Sequence, residues 1–142
     1  MRGVAILLIL LAGNYSTFSQ EIIPVPELLL EINTVRLKKG LKPLEYNDGP
    51  QKSCDEWALR ISKNLVHNTS DKRKGEVISK IYGSSELIIP SFLASDSHKK
   101  ILLDKKATQV CFAVYRTHAQ TIVKKNAVES IPTAYYTVIR TY

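Results

Sequence analysis

Three polar side chains in this sequence are of the types that bind a ligand or a cation in an open cleft. They are His67, Glu76 and His98, and neither histidine lies directly beside another metal-type ligand in the sequence. Neutral imidazoles are good ligands for Zn and similar ions, and a carboxylate can either ligate such an ion or orient a ligand. These side chains can act together only if the fold brings them to one place, so their chemistry depends on the elements that position them.

Each of these residues also has a simpler structural explanation. His67 follows an amphipathic helix and can hydrogen-bond its last carbonyls, while His98 can face solvent in the first turn of another helix. Glu76 can be an acid at a helix start, where the dipole favours negative charge. Nucleophilic catalysis has little support, because no Gly-x-Ser-x-Gly elbow is present. Ser95 and Ser97 are near His98 in sequence, but a catalytic triad is a spatial arrangement.

The amino terminus has the layout of an exported protein. Residues 4–12 are nine uninterrupted apolar residues after a basic start, and Thr17 and Ser19 supply small side chains before Gln20. This layout predicts a signal peptide over residues 1–19, which is too short to cross a bilayer. The alternative is a buried N-terminal strand or helix. We therefore expect a secreted, periplasmic or extracellular protein, cleaved near Ser19-Gln20.

Composition and charge fit one small domain. The chain has 142 residues, of which 44% are hydrophobic, and no other apolar run approaches membrane length, so no transmembrane segment is predicted. The formal net charge is +7, and it becomes +6 when Arg2 leaves with the leader. Export argues against nucleic acid as the partner and favours anionic envelope polymers or lipid head groups. Alternatively, the short lysine clusters, at positions 72–74, 99–100, 105–106 and 124–125, simply solvate the surface of a monomer.

The order of predicted elements, helices first and strands later, indicates an α+β domain with a small, mostly antiparallel sheet covered by helices. Asp48 is the expected N-cap of the second helix. Along the predicted strand at 108–115 the side chains alternate between two faces. The predicted helices cover residues 27–39, 48–65, 90–94 and 97–103, the predicted strands cover 108–115, 119–125 and 134–142, and residues 68–75 and 126–132 are predicted loops.

Cys54 and Cys111 are the two cysteines of the chain. An even count in an exported protein permits a disulfide, but two buried free thiols fit the sequence equally well, because free cysteine behaves as a small hydrophobe. Cys54 falls on the expected buried stripe of the second helix. The other members of that stripe are Trp57, Ala58, Ile61 and Leu65.

Several segments occur in an order and spacing that are specific together, although no single one is decisive. Together they resemble the CAP superfamily, also called SCP-like, which includes cysteine-rich secretory, antigen 5 and pathogenesis-related 1 proteins. The similarity is to its short bacterial YkwD-like branch and covers residues 28–142, with 20–27 as a lead-in. The segments are Leu30–Arg36, Gly40–Leu44, Pro50–Leu65, His67-Asn68, Gly75-Glu76-Val77-Ile78, Phe92–Leu102, Thr108–Val114 and Tyr135–Ile139.

The resemblance implies a single-domain α-β-α sandwich in which His67, Glu76 and His98 line one open cleft, with Ser95 and Ser97 as further candidates. In the family the two histidines can hold a divalent cation. Two histidines alone would make a weak, open Zn site, and no other cofactor is implied. Because the second helix packs on the sheet in this family, the resemblance also implies a helix-to-sheet disulfide between the two cysteines.

Three departures from the family pattern bear on the cleft. Val77 stands where the family has asparagine, which removes a polar partner. Phe92 replaces a tryptophan, and Asp96-Ser97 replaces Pro-Gly. These changes weigh against a complete set of metal ligands.

Three functions remain consistent with the sequence. We favour a secreted, non-catalytic domain that binds a small ligand, lipid, peptide or envelope glycan. The first alternative is a metal-dependent hydrolase in which His67 and His98 hold the cation and Glu76 acts as general base. The second is an electrostatic binder of anionic envelope polymers through the lysine clusters.

Overall fold

The structure, a computed structural model, describes residues 21–70, 73–125 and 127–142. The predicted signal peptide, residues 1–19, lies outside the described residues. The described helices are α1 (Glu27–Lys38), α2 (Gln51–Ile61), α3 (Ile88–Leu93), which follows a 3-10 turn at Ser85–Leu87, and α4 (Asp96–Leu102). The described strands are β1 (Glu21–Ile23), β2 (Glu45–Tyr46), β3 (Gly75–Tyr82), β4 (Gln109–Thr117), β5 (Gln120–Lys124), β6 (Ala127–Ile131) and β7 (Ala134–Thr141).

The main sheet has β4 and β7 at its centre. Its order is β1-β4-β7-β3, and these pairs are all antiparallel, whereas β2 pairs in parallel with the start of β4. The predicted class, α+β with a mostly antiparallel sheet, is therefore confirmed. No helix among the described residues combines the length and the apolarity needed to cross a bilayer.

Each face of the sheet is covered by helices and has its own core. The alternation predicted for β4 is observed, because successive side chains of a strand point to opposite faces. One core lies under α1, α3 and α4, and the other lies under α2. The first contains Leu28, Ile32, Phe92, Leu102, Val77, Val110, Val114 and Ile139. The second contains Cys54, Ala58, Ile61, Ile78, Cys111, Ala113, Tyr115 and Val138. This layering is the α-β-α sandwich that the resemblance implies.

A disulfide joins Cys54 on α2 to Cys111 on β4. The predicted helix-to-sheet bridge is therefore confirmed, and the alternative of two free thiols is wrong for this structure. Such a bridge stabilises a fold by roughly 2–4 kcal/mol, mainly by restricting the unfolded chain. It fixes α2 over the centre of the sheet.

A buried arginine in α1 links the helix to the segment before β2, to the end of α4 and to the loop that precedes β4. The guanidinium of Arg36 donates to the carbonyls of Lys42 (2.8 Å), Leu102 (2.8 Å), Asp104 (3.1 Å) and Ala107 (3.2 Å). Burial lowers the pKa of Arg36, and the nearby charge of Asp104 opposes that shift. The sequence pattern of α1 identifies its apolar stripe but not this inward-facing charge.

The second helix is shorter than predicted at its C-terminal end. It ends at Ile61, and Leu65 lies in the following loop with half of its surface exposed. The chain turns back there, since the indole N–H of Trp57 donates to the carbonyl of Val66 (3.2 Å). The expected side-chain cap at Asp48 is also wrong, because only its carbonyl is used, accepting from the Gln51 N–H (3.0 Å).

Strands β3 and β6, like the short β1, lie where the sequence predicted no strand. β3 contains Glu76, so the alternative of an acid at a helix start is wrong. β6 occupies most of the predicted loop before Pro132 and pairs with β5 in a separate two-stranded sheet, with Val123 opposite Val128. The boundaries of the short helices differ slightly from the prediction. The helix predicted to begin at Pro90 begins at Ile88, with Pro90 in its first turn.

Candidate functional site

The site is built on a row of residues that crosses three strands on the α2 face of the sheet. Glu76 of β3 lies opposite Arg140 of β7, and Arg140 lies opposite Cys111 of β4. Nε of Arg140 donates to Oε2 of Glu76 at 2.8 Å, and the two side chains are 0% and 2% exposed. A second guanidinium nitrogen donates to the Ser53 hydroxyl at 2.9 Å. The carboxylate is therefore a buried charge with a buried partner.

The other carboxylate oxygen of Glu76 holds the loop that follows α2. Oε1 lies 3.0 Å from Nδ1 of His67 and accepts from the backbone N–H of Asn68 at 2.8 Å. Nε of Arg73 lies 3.7 Å from Oε2. One carboxylate thus binds both the interior strand β7 and the loop at the outer edge of β3.

These contacts fix the imidazole of His67. A neutral imidazole that donates from Nδ1 to a carboxylate has its lone pair on Nε2. The side chain is 53% exposed, so Nε2 is the ring nitrogen available to a ligand. Glu76 therefore orients His67, and its own oxygens are occupied by protein donors.

His98 belongs to the helix that packs against the start of β3 from the opposite side of the sheet. It lies on α4, where its ring packs edge-on against Phe92, with 5.2 Å between ring centroids. Burial lowers the pKa of His98, and the nearby charge of His67 lowers it further.

Gly75 explains how α4 comes so close to β3. A Cβ atom added at this glycine would lie 2.4 Å from Cγ2 of Ile101, well inside the van der Waals distance. The absence of a side chain lets α4 pack directly on the start of the edge strand. The Gly-Glu pair thus has two roles, since Gly75 admits the helix that carries His98 and Glu76 orients His67.

The two candidate serines lie at the N-terminal end of α4. The hydroxyls of Ser95 and Ser97 are hydrogen-bonded to each other at 2.9 Å. Within the described ranges, neither hydroxyl hydrogen-bonds His67, Glu76 or His98. Their place in the cleft stays a prediction.

Val77 is fully buried in the core on the α1 side of the sheet. The departure from the family's asparagine therefore places an apolar side chain in the core, pointing away from the face that carries Glu76.

The donor set does not fit a resident divalent cation. The residues that the structure describes contain no group of three or more His, Cys, Asp or Glu side chains that could hold a metal. Both oxygens of Glu76 are engaged by Arg140, His67 and Asn68. Two imidazoles remain, whereas catalytic Zn sites use three protein ligands and structural sites four. A weak Zn interaction at His67 and His98 stays a prediction.

Sequence reasoning missed the basic half of the site. Arg140 is a single charge within the strongly apolar and aromatic segment 134–142, two residues after the buried Val138. Strand alternation therefore directs Arg140 to the same buried face, and a buried charge requires a partner. A charged residue on the buried face of a predicted strand is therefore the sequence signal that indicates Arg140. Trp57, predicted as a core residue, packs against the second core and also lies 6.0 Å from the Arg140 guanidinium.

Comparisons with known proteins agree with this architecture. The sequence model of the cysteine-rich secretory protein family, CAP, matches residues 29–127. An outer surface protein from Borrelia burgdorferi has a similar structure, with a TM-score of 0.54 and 17% identity over 87% of this chain and 98% of that one. No curated protein sequence matches this chain significantly.

Two longer proteins contain a similar domain. A cysteine-rich secretory protein from Staphylococcus aureus subsp. aureus Mu50 gives a TM-score of 0.50 and 20% identity, covering 83% of this chain and 40% of that one. An extracellular protein containing an SCP domain from Bacillus anthracis str. Ames gives 0.53 and 11%, covering 82% and 39%. This chain therefore spans about 40% of the length of these two proteins. At such identities the likeness shows the fold alone.

Proposed function

Because this chain belongs to the cysteine-rich secretory protein (CAP) family, we propose that it is an exported ligand-binding domain. Its cleft, formed by His67 and His98 over Glu76, binds a ligand without catalysing a reaction. The observation that carries this proposal is the environment of Glu76, whose two oxygens are both committed to protein donors. Export is supported by the amino-terminal sequence pattern of residues 1–19.

A hydrolase would need a different arrangement of Glu76. A general base must reach the proton that it abstracts, directly or through one water. Glu76 is buried beneath His67 and held by Arg140, so moving it out of these contacts would separate a buried carboxylate from a buried guanidinium. Leaving a buried charge without its partner costs about 3–5 kcal/mol. The geometry therefore favours orientation of His67 over activation of water.

The cleft offers two partly exposed imidazoles to its ligand. The lowered pKa of His98 keeps this ring neutral near neutral pH, so it presents one donor and one acceptor. The exposed ring of His67 adds a further polar nitrogen, Nε2, since its Nδ1 contacts Glu76. Such groups suit ligands rich in hydroxyl or amide groups, which is the chemistry of an envelope glycan or a peptide.

The test is a binding screen of the protein against envelope glycan fragments and short peptides. The double variant His67→Ala/His98→Ala should lose binding, whereas His118→Ala should keep it, because His118 lies near Glu21 at the other end of β4. No product should form during the incubation. Turnover that disappears in Glu76→Gln would contradict the proposal and support the hydrolase. Binding that survives the double variant and weakens steeply with salt would support the lysine clusters instead.

A further inference from the structure

A concave site lies at the edge of the sheet opposite the strand that carries Glu76. It is a cavity of about 580 Å³ between β1, the segment 24–26, the start of α1, β2 and α2. Small-molecule sites commonly measure about 300–1,000 Å³ and combine apolar walls with a few convergent polar groups. The apolar wall is formed by Ile22, Ile23, Val25, Leu29, Phe112 and Ala113.

The polar end of this cavity consists of Tyr46, Gln51 and Asp55. The side-chain nitrogen of Gln51 donates to Oδ1 of Asp55 at 2.6 Å and to the carbonyl of Phe112 at 3.1 Å. The Tyr46 hydroxyl donates to Oε1 of Gln51. An amide nitrogen has two hydrogens and a phenol has one, so these bonds use every side-chain donor of the polar end.

The side-chain atoms at this polar end that can still form hydrogen bonds are acceptors. No hydrogen bond or ion pair of Oδ2 of Asp55 occurs among residues 21–70, 73–125 and 127–142. Pro24 and Pro26 contribute wall surface without a backbone N–H. A ligand head group must therefore donate hydrogen bonds to satisfy this end.

The electrostatic environment selects the charge of that head group. The pKa of Tyr46 is raised by burial first and then by the negative charges of Asp55 and Asp48. Within the described part of the lining, Asp55 is the charged group. An anionic head would face this carboxylate, whereas a cationic head would form a charge-assisted hydrogen bond with it.

We propose that this cavity binds a small amphipathic molecule with an apolar chain and a primary ammonium head. The chain packs against Val25, Leu29 and Phe112, and the ammonium group donates to Oδ2 of Asp55. This site is separate from the histidine cleft, since the cleft lies along edge strand β3 and the cavity lies along β1 and β2. The inference does not depend on the function proposed for the cleft.

The test compares three probes of equal chain length: octylammonium, octanol and octanoate, titrated into the protein at neutral pH. Octylammonium should bind at least about tenfold more tightly than octanoate, because one hydrogen bond to a charged group is worth a factor of this size. The methyl signals of Ile22, Val25 and Leu29 should shift in NMR spectra, while the imidazole signals of His67 and His98 should not.

Two variants of α2 test the head group. Asp55→Asn should weaken octylammonium about tenfold while leaving octanol unchanged, since only the charged contact is lost. Glu56→Gln is the matched control, because it removes the same charge from the next, exposed residue of the helix and should change neither affinity. Unchanged unfolding temperatures confirm that both variants are folded.

Three results would overturn the proposal. The ligand site is refuted if none of the probes shifts the cavity methyls of the wild-type protein. The head-group assignment is refuted if octanoate binds as tightly as octylammonium, or if Glu56→Gln loses as much affinity as Asp55→Asn. Because the first of these uses the wild-type protein alone, it holds even if a variant fails to fold.

Discussion

The two faces of the main sheet are stabilised in different ways. The α1, α3 and α4 side has a broad core of large apolar side chains, including Phe92, Leu28 and Ile88. The α2 side has a narrower core with smaller members such as Ala58 and Ala113, and it adds a disulfide and a buried ion pair.

The two kinds of contact differ in how well they fix the direction of a polar side chain. A core of large apolar side chains stabilises a fold without strongly fixing the direction of one polar group, because the hydrophobic effect is not directional. Hydrogen bonds and ion pairs are directional and set angles and distances. On the α1 side the four hydrogen bonds of Arg36 hold the loop that precedes β4. On the α2 side the disulfide and the Glu76–Arg140 pair lie on the face that orients His67, so the narrower core is the one that defines the candidate site.

The largest expected effect is at the ion pair. Arg140→Met should lower the free energy of unfolding by about 3 kcal/mol, because it removes the nearest and fully buried cationic partner of the Glu76 carboxylate and leaves it the more distant Arg73. Urea denaturation measures this loss. The double variant Arg140→Met/Glu76→Met should recover part of it, since replacing both charges by apolar groups is often close to neutral. A single variant that loses less than the double variant would contradict the role assigned to the pair.

Removal of the disulfide should have the next largest effect. Cys54→Ala/Cys111→Ala should cost roughly 2–4 kcal/mol by releasing the unfolded chain from a long closed loop. Thermal and urea unfolding of the oxidised protein and the variant measure the difference. Thiol counting on the unfolded, non-reduced wild-type protein provides the control, and two free thiols there would refute the bridge.

The packing of α4 on β3 should be sensitive to a single methyl group. Gly75→Ala should cost about 1–3 kcal/mol, because its Cβ overlaps the side chain of Ile101. Gly83→Ala is not a matched control, since that glycine has a positive φ of 95°. Gly49→Ala is more suitable, because its Cβ would meet only Asn47. The idea fails if both substitutions have equal effects on unfolding and on the His98 NMR signal.

A smaller effect should appear in the dependence of stability on pH. Burial and then His67 lower the pKa of His98 below its ordinary value, so the unfolded state takes up this proton at higher pH than the folded state. The contribution of neutral His98 is present above the unfolded pKa and is lost as the pH falls through the folded pKa. His98→Gln should therefore flatten the fall in unfolding free energy between about pH 7 and pH 5. Parallel curves for the two proteins would contradict this.

The smallest effect concerns metal. Calorimetric titration of the chelator-treated protein with Zn²⁺ should show binding weaker than micromolar, because His67 and His98 lack a third protein ligand in the described part of the chain. The double variant His67→Ala/His98→Ala should show no heat of Zn²⁺ binding. Tight binding lost in that variant would show that other ligands join the two imidazoles.

Elements with a strong local pattern were predictable from the sequence. The spacing of Leu28 and Ile32 gives α1, and the alternation along residues 108–115 gives β4 with the correct faces. The pairing of Cys54 with Cys111 came from the family resemblance. In each of these cases the decisive pattern lies within a short segment or within a series of motifs along the chain.

Elements that depend on distant partners were not predictable. β6 contains Glu129 and Ser130 and becomes a strand through pairing with β5. Glu76 and Arg140 are 64 residues apart, and their contact exists only after β3 and β7 have paired. The cavity beside β1 and β2 likewise forms only when residues 22–26 and α2 come together at the edge of the sheet.

Because Glu76 binds both His67 and the backbone of Asn68, the amide proton of Asn68 can report ligand binding at His67. The backbone amide proton of Asn68 is hydrogen-bonded to the same oxygen that holds His67, so it can exchange with solvent only when this loop opens. A ligand that restrains the His67 ring must also slow that opening. Hydrogen–deuterium exchange at one backbone position therefore measures occupancy of the cleft, and it does so for an unlabelled ligand of any chemical class.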